Sequence, residues 1–193
     1  MSKMSKGGQW VLGCLLMIGL SSNVQAGSID MPTVYDTWLG WNNALRADMK
    51  LPLYTLDSNL QATSLERSTT AATRGEITHK RDPKKDAYYD YAKIQRRFGD
   101  RGVTFKNINR STFSESIGWG VYSCKQEDCT QSLIAAVKST WNFFYSEKNK
   151  KSQPHYAALV HKNFAVMGIG IAVDEKKKRY YLTVHYATQV VKK

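Results

Sequence analysis

Cysteine and histidine carry much of protein chemistry, and this chain holds three of the first and four of the second among 193 residues. Cys124 and Cys129 enclose the polar stretch Lys-Gln-Glu-Asp, while Cys14 lies inside an apolar run. A close pair of this kind closes a short disulfide or offers two thiolates to a metal. No second pair stands at zinc-finger spacing, so a four-ligand centre lacks its other half. In an exported chain the pair reads as a disulfide. The histidines sit in different settings. His79 follows a helix-like stretch, and His155 follows a polar loop. His185 alternates with Leu182, Val184 and Tyr186, which suits a half-buried strand position, and His161 suits a loop cap. Ser114, Glu115 and His155 include the residue types of a hydrolase triad, but no Gly-x-Ser-x-Gly elbow accompanies them.

The compartment follows from the N-terminus. Lys3 and Lys6 precede the apolar stretch Trp10 to Leu20, and Val24-Gln25-Ala26 then offers small residues before Gly27. This is the pattern of a secretory signal peptide over residues 1–26, with residues 27–193 as one mature domain in the periplasm or outside the cell. The stretch is too short to span a bilayer, which takes ~20 apolar residues. An uncleaved N-terminal anchor is the alternative. The 28 Lys and Arg against 16 Asp and Glu leave a net charge of +12. The basic loops Lys148, Lys150, Lys151 and Lys176 to Arg179 read as solvated, with attraction to anionic lipid headgroups or acidic glycans as the functional alternative. Tyr88, Tyr89, Tyr91, Arg96 and Arg97 superficially resemble a nucleic-acid face, and export argues against that partner.

Helices must come first along the chain. Thr33 to Met49 steps its apolar residues Val34, Trp38, Trp41, Leu45 and Met49 along one face, with Thr33 and Asp36 as a capping box. Asp57 or Ser58 caps a second helix to about Arg74, where Gly75 suits its end. Leu60, Ala62, Leu65 and Ala72 give it a weak face of small residues, which implies close packing. Asp86 to Phe98 reads as a third helix, and Thr130 to Glu147 as a fourth, with Leu133, Val137, Trp141 and Phe144 inward. Ser114 to Cys124 has strand character. Ala165 to Val173 and Arg179 to Ala187 form an antiparallel hairpin around Asp174 to Lys178. Gly168 and Gly170 share one face, which predicts that something passes close there. Helices followed by strands make an α+β layout.

The order of these motifs resembles the CAP superfamily, the cysteine-rich secretory, antigen 5 and pathogenesis-related type, or SCP-like domain. The likeness covers roughly Thr33 to Ala187. Trp41 to Arg46 with Leu51-Pro52-Leu53 is similar to the family's Asn-x-x-Arg helix and Leu-Pro-Leu exit. His79 falls at the first site histidine. Ser114-Glu115-Ser116-Ile117 looks like the Gly-Glu-Asn-Leu/Ile segment. Pro154-His155-Tyr156 through Val160 is similar to the Gly-His-Tyr-Thr-Gln-Val-Val signature. Serines replace the glycine and asparagine beside Glu115. The second site glutamate's slot holds Phe144, and Glu147 lies nearby but out of register.

The resemblance implies a three-layer α-β-α sandwich with a mainly antiparallel sheet. It also implies a cleft built from His79, Glu115 and His155. Two imidazoles and a carboxylate suit a divalent cation such as zinc, with a position left for water. The function expected is non-enzymatic binding of a small apolar or lipid ligand, a cation, or both, by a monomer. A metal-dependent hydrolase using the same cleft is the alternative, and a surface interaction protein using the basic loops is another.

Overall fold

The computed structural model describes residues 27–101, 103–105 and 108–192, so the expected signal peptide lies outside the described residues. Helix α1 runs Met31–Asp48, two residues ahead of its expected start. Asp30, not Thr33, is its N-cap: the carboxylate accepts from the Thr33 amide, and Pro32 sits in the first turn, where its missing N–H costs nothing. A two-residue strand β1 (Thr55–Leu56) follows, then α2 (Ser58–Arg74), α3 (Tyr91–Gly99) and β2 (Val103–Thr104). Strand β3 (Phe113–Val121) leads to α4 (Thr130–Tyr145), a short α5 (Pro154–Leu159), β4 (Val166–Asp174), β5 (Arg179–Ala187) and β6 (Val191–Lys192). Helix α3 starts five residues later than expected, because Asp90 rather than Asp86 takes the cap.

The main sheet has the order β1-β4-β5-β3. Its β4, β5 and β3 pairs are antiparallel and only the short β1 is parallel. Strands β2 and β6 form a separate antiparallel pair. Helix α2 covers one face, and α1, α4 and α5 the other, which is the expected three-layer α-β-α arrangement.

The inward face of α1 differs from the expected one. Val34, Tyr35, Trp38, Asn42 and Arg46 are buried, while Trp41 and Leu45 are half-buried and Met49 is exposed. The stripe turned away from Met49 because Arg46 has work inside. Its guanidinium donates to the carbonyls of Pro52, Leu159, His161 and Phe164, and stacks on Tyr54. Asn43 closes the same bend by exchanging two hydrogen bonds with the Tyr54 backbone. These two side chains give the Asn-x-x-Arg spacing its physical meaning: they tie the exit of α1 to the loop that carries α5.

Helix α2 is capped by Asp57, which accepts from the Asn59 and Leu60 amides, and it ends at Gly75 in the left-handed conformation. Its buried face is Leu60, Thr63, Ser64, Arg67 and Ser68, so Leu65, an expected core residue, is exposed. Small hydroxyls let the helix lie directly on β4. Ser64 and Ser68 donate to the Gly168 and Gly170 carbonyls. A Cβ at either glycine would collide with the α2 backbone at Leu60–Gln61 or Ser64–Leu65.

Candidate functional site

The antiparallel register of β3 and β5 sets Glu115 directly opposite His185. Both side chains are buried on the α2 side of the sheet. His185 Nε2 lies 2.9 Å from Glu115 Oε2, and its Nδ1 is 3.1 Å from Thr63 Oγ1. His79, on the segment after α2, places Nδ1 3.0 Å from Glu115 Oε1. Arg81 then grips both carboxylate oxygens, at 3.0 and 2.8 Å. Arg67 lies 3.9 Å from Oε2 and donates to the carbonyls of Thr78 and Lys80, which fixes the segment that carries His79 and Arg81.

The electrostatics follow from this geometry. Burial works against ionising Glu115, but the Arg81 charge and the hydrogen bonds from His185 and His79 hold its carboxyl well below the usual range. Burial pushes His185 below its ordinary value in spite of Glu115. A neutral His185 donates Nε2–H to Glu115, and its Nδ1 competes with the Leu60 carbonyl for the single proton of the Thr63 hydroxyl. Burial also lowers Arg67 to about 10 against the pull of Glu115.

His155 lies on the other side of the β3 edge, in α5. Glu147 accepts a 2.7 Å hydrogen bond from its Nδ1, and bonds from the His155 and Tyr156 amides at 2.8 and 3.2 Å. Helix α4 ends at Tyr145, so Glu147 leaves the helix in a turn and reaches α5 from outside. That is how a glutamate out of register with the family slot still meets the histidine. The imidazole stacks flat on Phe144, centroids 4.4 Å apart. The residue occupying the expected glutamate slot therefore serves as the histidine's platform.

His79, Glu115 and His155 line one open cleft of about 500 Å³. The rings of Tyr88, Tyr89, Tyr91, Phe113 and Phe164 give its walls an aromatic character, and Arg110 adds one cation. Tyr88 and Tyr89 pack against the His79 ring. His161 lines the cleft as well, stacks on Phe164 and accepts from the Asn163 amide, as a loop cap does. With Nδ1 of His79 and of His155 each committed to a carboxylate, Nε2 is the nitrogen each ring keeps for a ligand. A carboxylate behind an imidazole fixes its tautomer and orientation. Among the described residues no three His, Cys, Asp or Glu side chains are grouped to hold a metal ion. Glu115 spends both oxygens on Arg81 and the two imidazoles, so the donors do not make a three-ligand centre.

Sequence reasoning passed over Arg81 and placed His185 only at a half-buried strand position. Its strand alternation was visible, but the register that sets it opposite Glu115 was not. Cys124 and Cys129 form the expected disulfide. The loop they close receives Ser28: its amide donates to the Glu127 carbonyl, and its own carbonyl accepts from the Cys129 amide.

Solved structures share this architecture. An outer surface protein from Borrelia burgdorferi aligns with a TM-score of 0.59 at 12% identity, over 86% of this chain and 99% of that one. An extracellular protein containing an SCP domain from Bacillus anthracis str. Ames aligns at 0.53 and 13% identity, over 82% of this chain and 41% of its own. BmVAL-1 aligns at 0.53 and 13% identity, over 84% and 79%. Such identities show the fold alone. No curated protein matches the sequence. Against family profiles, residues 41–186 match CAP, the cysteine-rich secretory protein family. That match spans well over half of the sequence and includes every residue of the cleft's His–Glu pairs, so the chain belongs to the CAP, or cysteine-rich secretory protein, family.

Proposed function

We propose that this is an exported, non-enzymatic binding protein that takes a small, largely apolar ligand into the cleft. The aromatic cleft of about 500 Å³ carries the reading. Sites for small molecules are concave, mostly apolar, and furnished with a few fixed polar groups. Here the fixed groups are the His79 and His155 imidazoles, each held by a carboxylate. They suit a ligand's hydroxyl or carboxyl end while the tyrosines enclose its body.

The same geometry favours binding over turnover. A general base needs a proton affinity near the working pH, and Arg81 keeps Glu115 ionised far below it. Ser114 lines the cleft without a hydrogen bond to either histidine among the described residues. A cation in the cleft would have two imidazole nitrogens and no free carboxylate. Export is supported by the disulfide, which persists in oxidising compartments, and by a family described as secretory.

Native mass spectrometry of the purified mature protein tests the reading, followed by delipidation and titration with palmitate. A small organic adduct, or uptake of one palmitate that weakens in His155→Ala, is the expected result. Protein that carries no adduct and takes up no palmitate overturns it. Zinc-dependent hydrolysis lost in His155→Ala would replace it with the hydrolase.

A further inference from the structure

A second depression runs along the other half of the β3 edge. It measures about 550 Å³ and lies between β3 and α4. None of the residues that line it carries a charge. Trp119, Val121 and Phe143 stand 50, 64 and 56% exposed around it, a cluster of large apolar side chains that a solvated surface does not favour. Strand β3 is the last strand of its sheet and pairs with β5 alone. Along Ile117–Val121 no other backbone bonds to that edge among the described residues. Natural edge strands are blunted by lysine, proline, bulges or a cover. This one reads Ile-Gly-Trp-Gly-Val, with none of the blunting residues.

Charge decides what could cover it. Arg179 lies over the Trp119 ring, 5.1 Å from its centroid. Asp174 stands opposite Arg179 on β4 but pairs with Lys177, which leaves the Lys176–Arg179 turn net positive; Arg74 lies by Ile117 at the other end, next to Glu76. A second copy of this chain would bring the same cations, and a strongly basic molecule, against them. An acidic partner is attracted to both ends.

We propose that Ile117–Val121 is a docking edge for an extended segment of another protein that alternates apolar and acidic residues and adds as a fifth strand. Backbone hydrogen bonds along the edge supply affinity. The segment's apolar side chains enter the groove beside Trp119 and Phe143, and its carboxylates face Arg179 and Arg74. This interaction is independent of the cleft reading.

Three synthetic peptides test it against the full mature chain by calorimetry: one alternating valine and glutamate, its valine–lysine counterpart, and the valine–glutamate peptide N-methylated on alternate amides. The first should bind and the other two should not, because lysine repels Arg179 and N-methylation removes strand donors. Arg179→Glu should weaken binding of the valine–glutamate peptide by about tenfold or more. Equal binding of the N-methylated peptide, unchanged binding by Arg179→Glu, or no binding of the valine–glutamate peptide overturns the proposal. Self-association that Val121→Lys abolishes, seen in sedimentation velocity, also overturns it in favour of a second copy.

Discussion

A carboxylate taken out of water usually gains protons, yet Glu115 loses affinity for them because a guanidinium holds both its oxygens. Its charge is structural currency for Arg81 and Arg67, which are buried around it. Glu115→Gln keeps the shape and removes the charge, so two guanidiniums lose their counter-ion. The expected cost is about 3–5 kcal/mol in urea unfolding, the range for breaking a buried pair. A loss under about 1 kcal/mol would mean that solvent reaches the pair. The pH dependence has a definite sign. His185 is depressed by burial, so below ~6.5 the unfolded chain takes up a proton that the native one refuses. Glu115 is depressed too, so the same imbalance recurs below ~4.3. Both contributions are present at neutral pH and lost on acidification. Unfolding free energy should therefore fall from pH 7 to 5 and fall more steeply below. A profile flat to pH 4 would contradict the neutral His185 and the ionised Glu115.

Elements constrain one another through close approach. Gly170 lies under the α2 backbone, so Gly170→Ala must push the helix off β4. Overpacking of this kind costs about 1–3 kcal/mol, and chemical denaturation should read it at Gly170 and Gly168 alike. Gly40 has open space around it, so Gly40→Ala, in the middle of α1, should be neutral or stabilising. On α1 the buried ring is Trp38, which meets Phe144 edge-on at 6.0 Å. Trp38→Ala should cost about 3–5 kcal/mol through lost transfer energy and a cavity. Trp41 is half-buried with Lys138 over its ring, and its alanine variant should cost clearly less. Equal losses at both positions would return the helix face to the one its apolar spacing suggests. The Cys124–Cys129 loop is short, so removing the disulfide should cost only about 2 kcal/mol. Thiol labelling of exported protein should recover no free sulfhydryl from the pair.

Across the whole molecule one sheet is shared by two apolar clusters, a large one facing α1 and α4 and a smaller one around Leu60, Phe98 and Phe113. Since β5 contributes to both, the layers should unfold together. Far-UV circular dichroism and tryptophan fluorescence should give coincident urea transitions; separated midpoints would mean that the α3 end melts alone. The sequence carried a large part of this. Local rules were enough to put the start of α2 at Asp57 or Ser58 and its end at Gly75, and for the β4–β5 hairpin and the disulfide, because caps, alternation and short loops involve neighbours along the chain. Gly168 and Gly170 announced a close approach by the absence of a side chain. His79, Glu115 and His155 were legible as motif residues, though nothing local says what each one touches. That was settled by strand register, which sets His185 against Glu115, by the turn after α4, which brings Glu147 to His155, and by the α2 face, which delivers Arg67 behind Arg81. The inward turn of Arg46 on α1 belongs with these, since its carbonyl partners lie far along the chain. Hydrophobic spacing states which residues prefer to leave water. Where a polar side chain is buried depends on which partners the tertiary structure brings within hydrogen-bonding distance, and for this protein that decided the chemistry of the cleft.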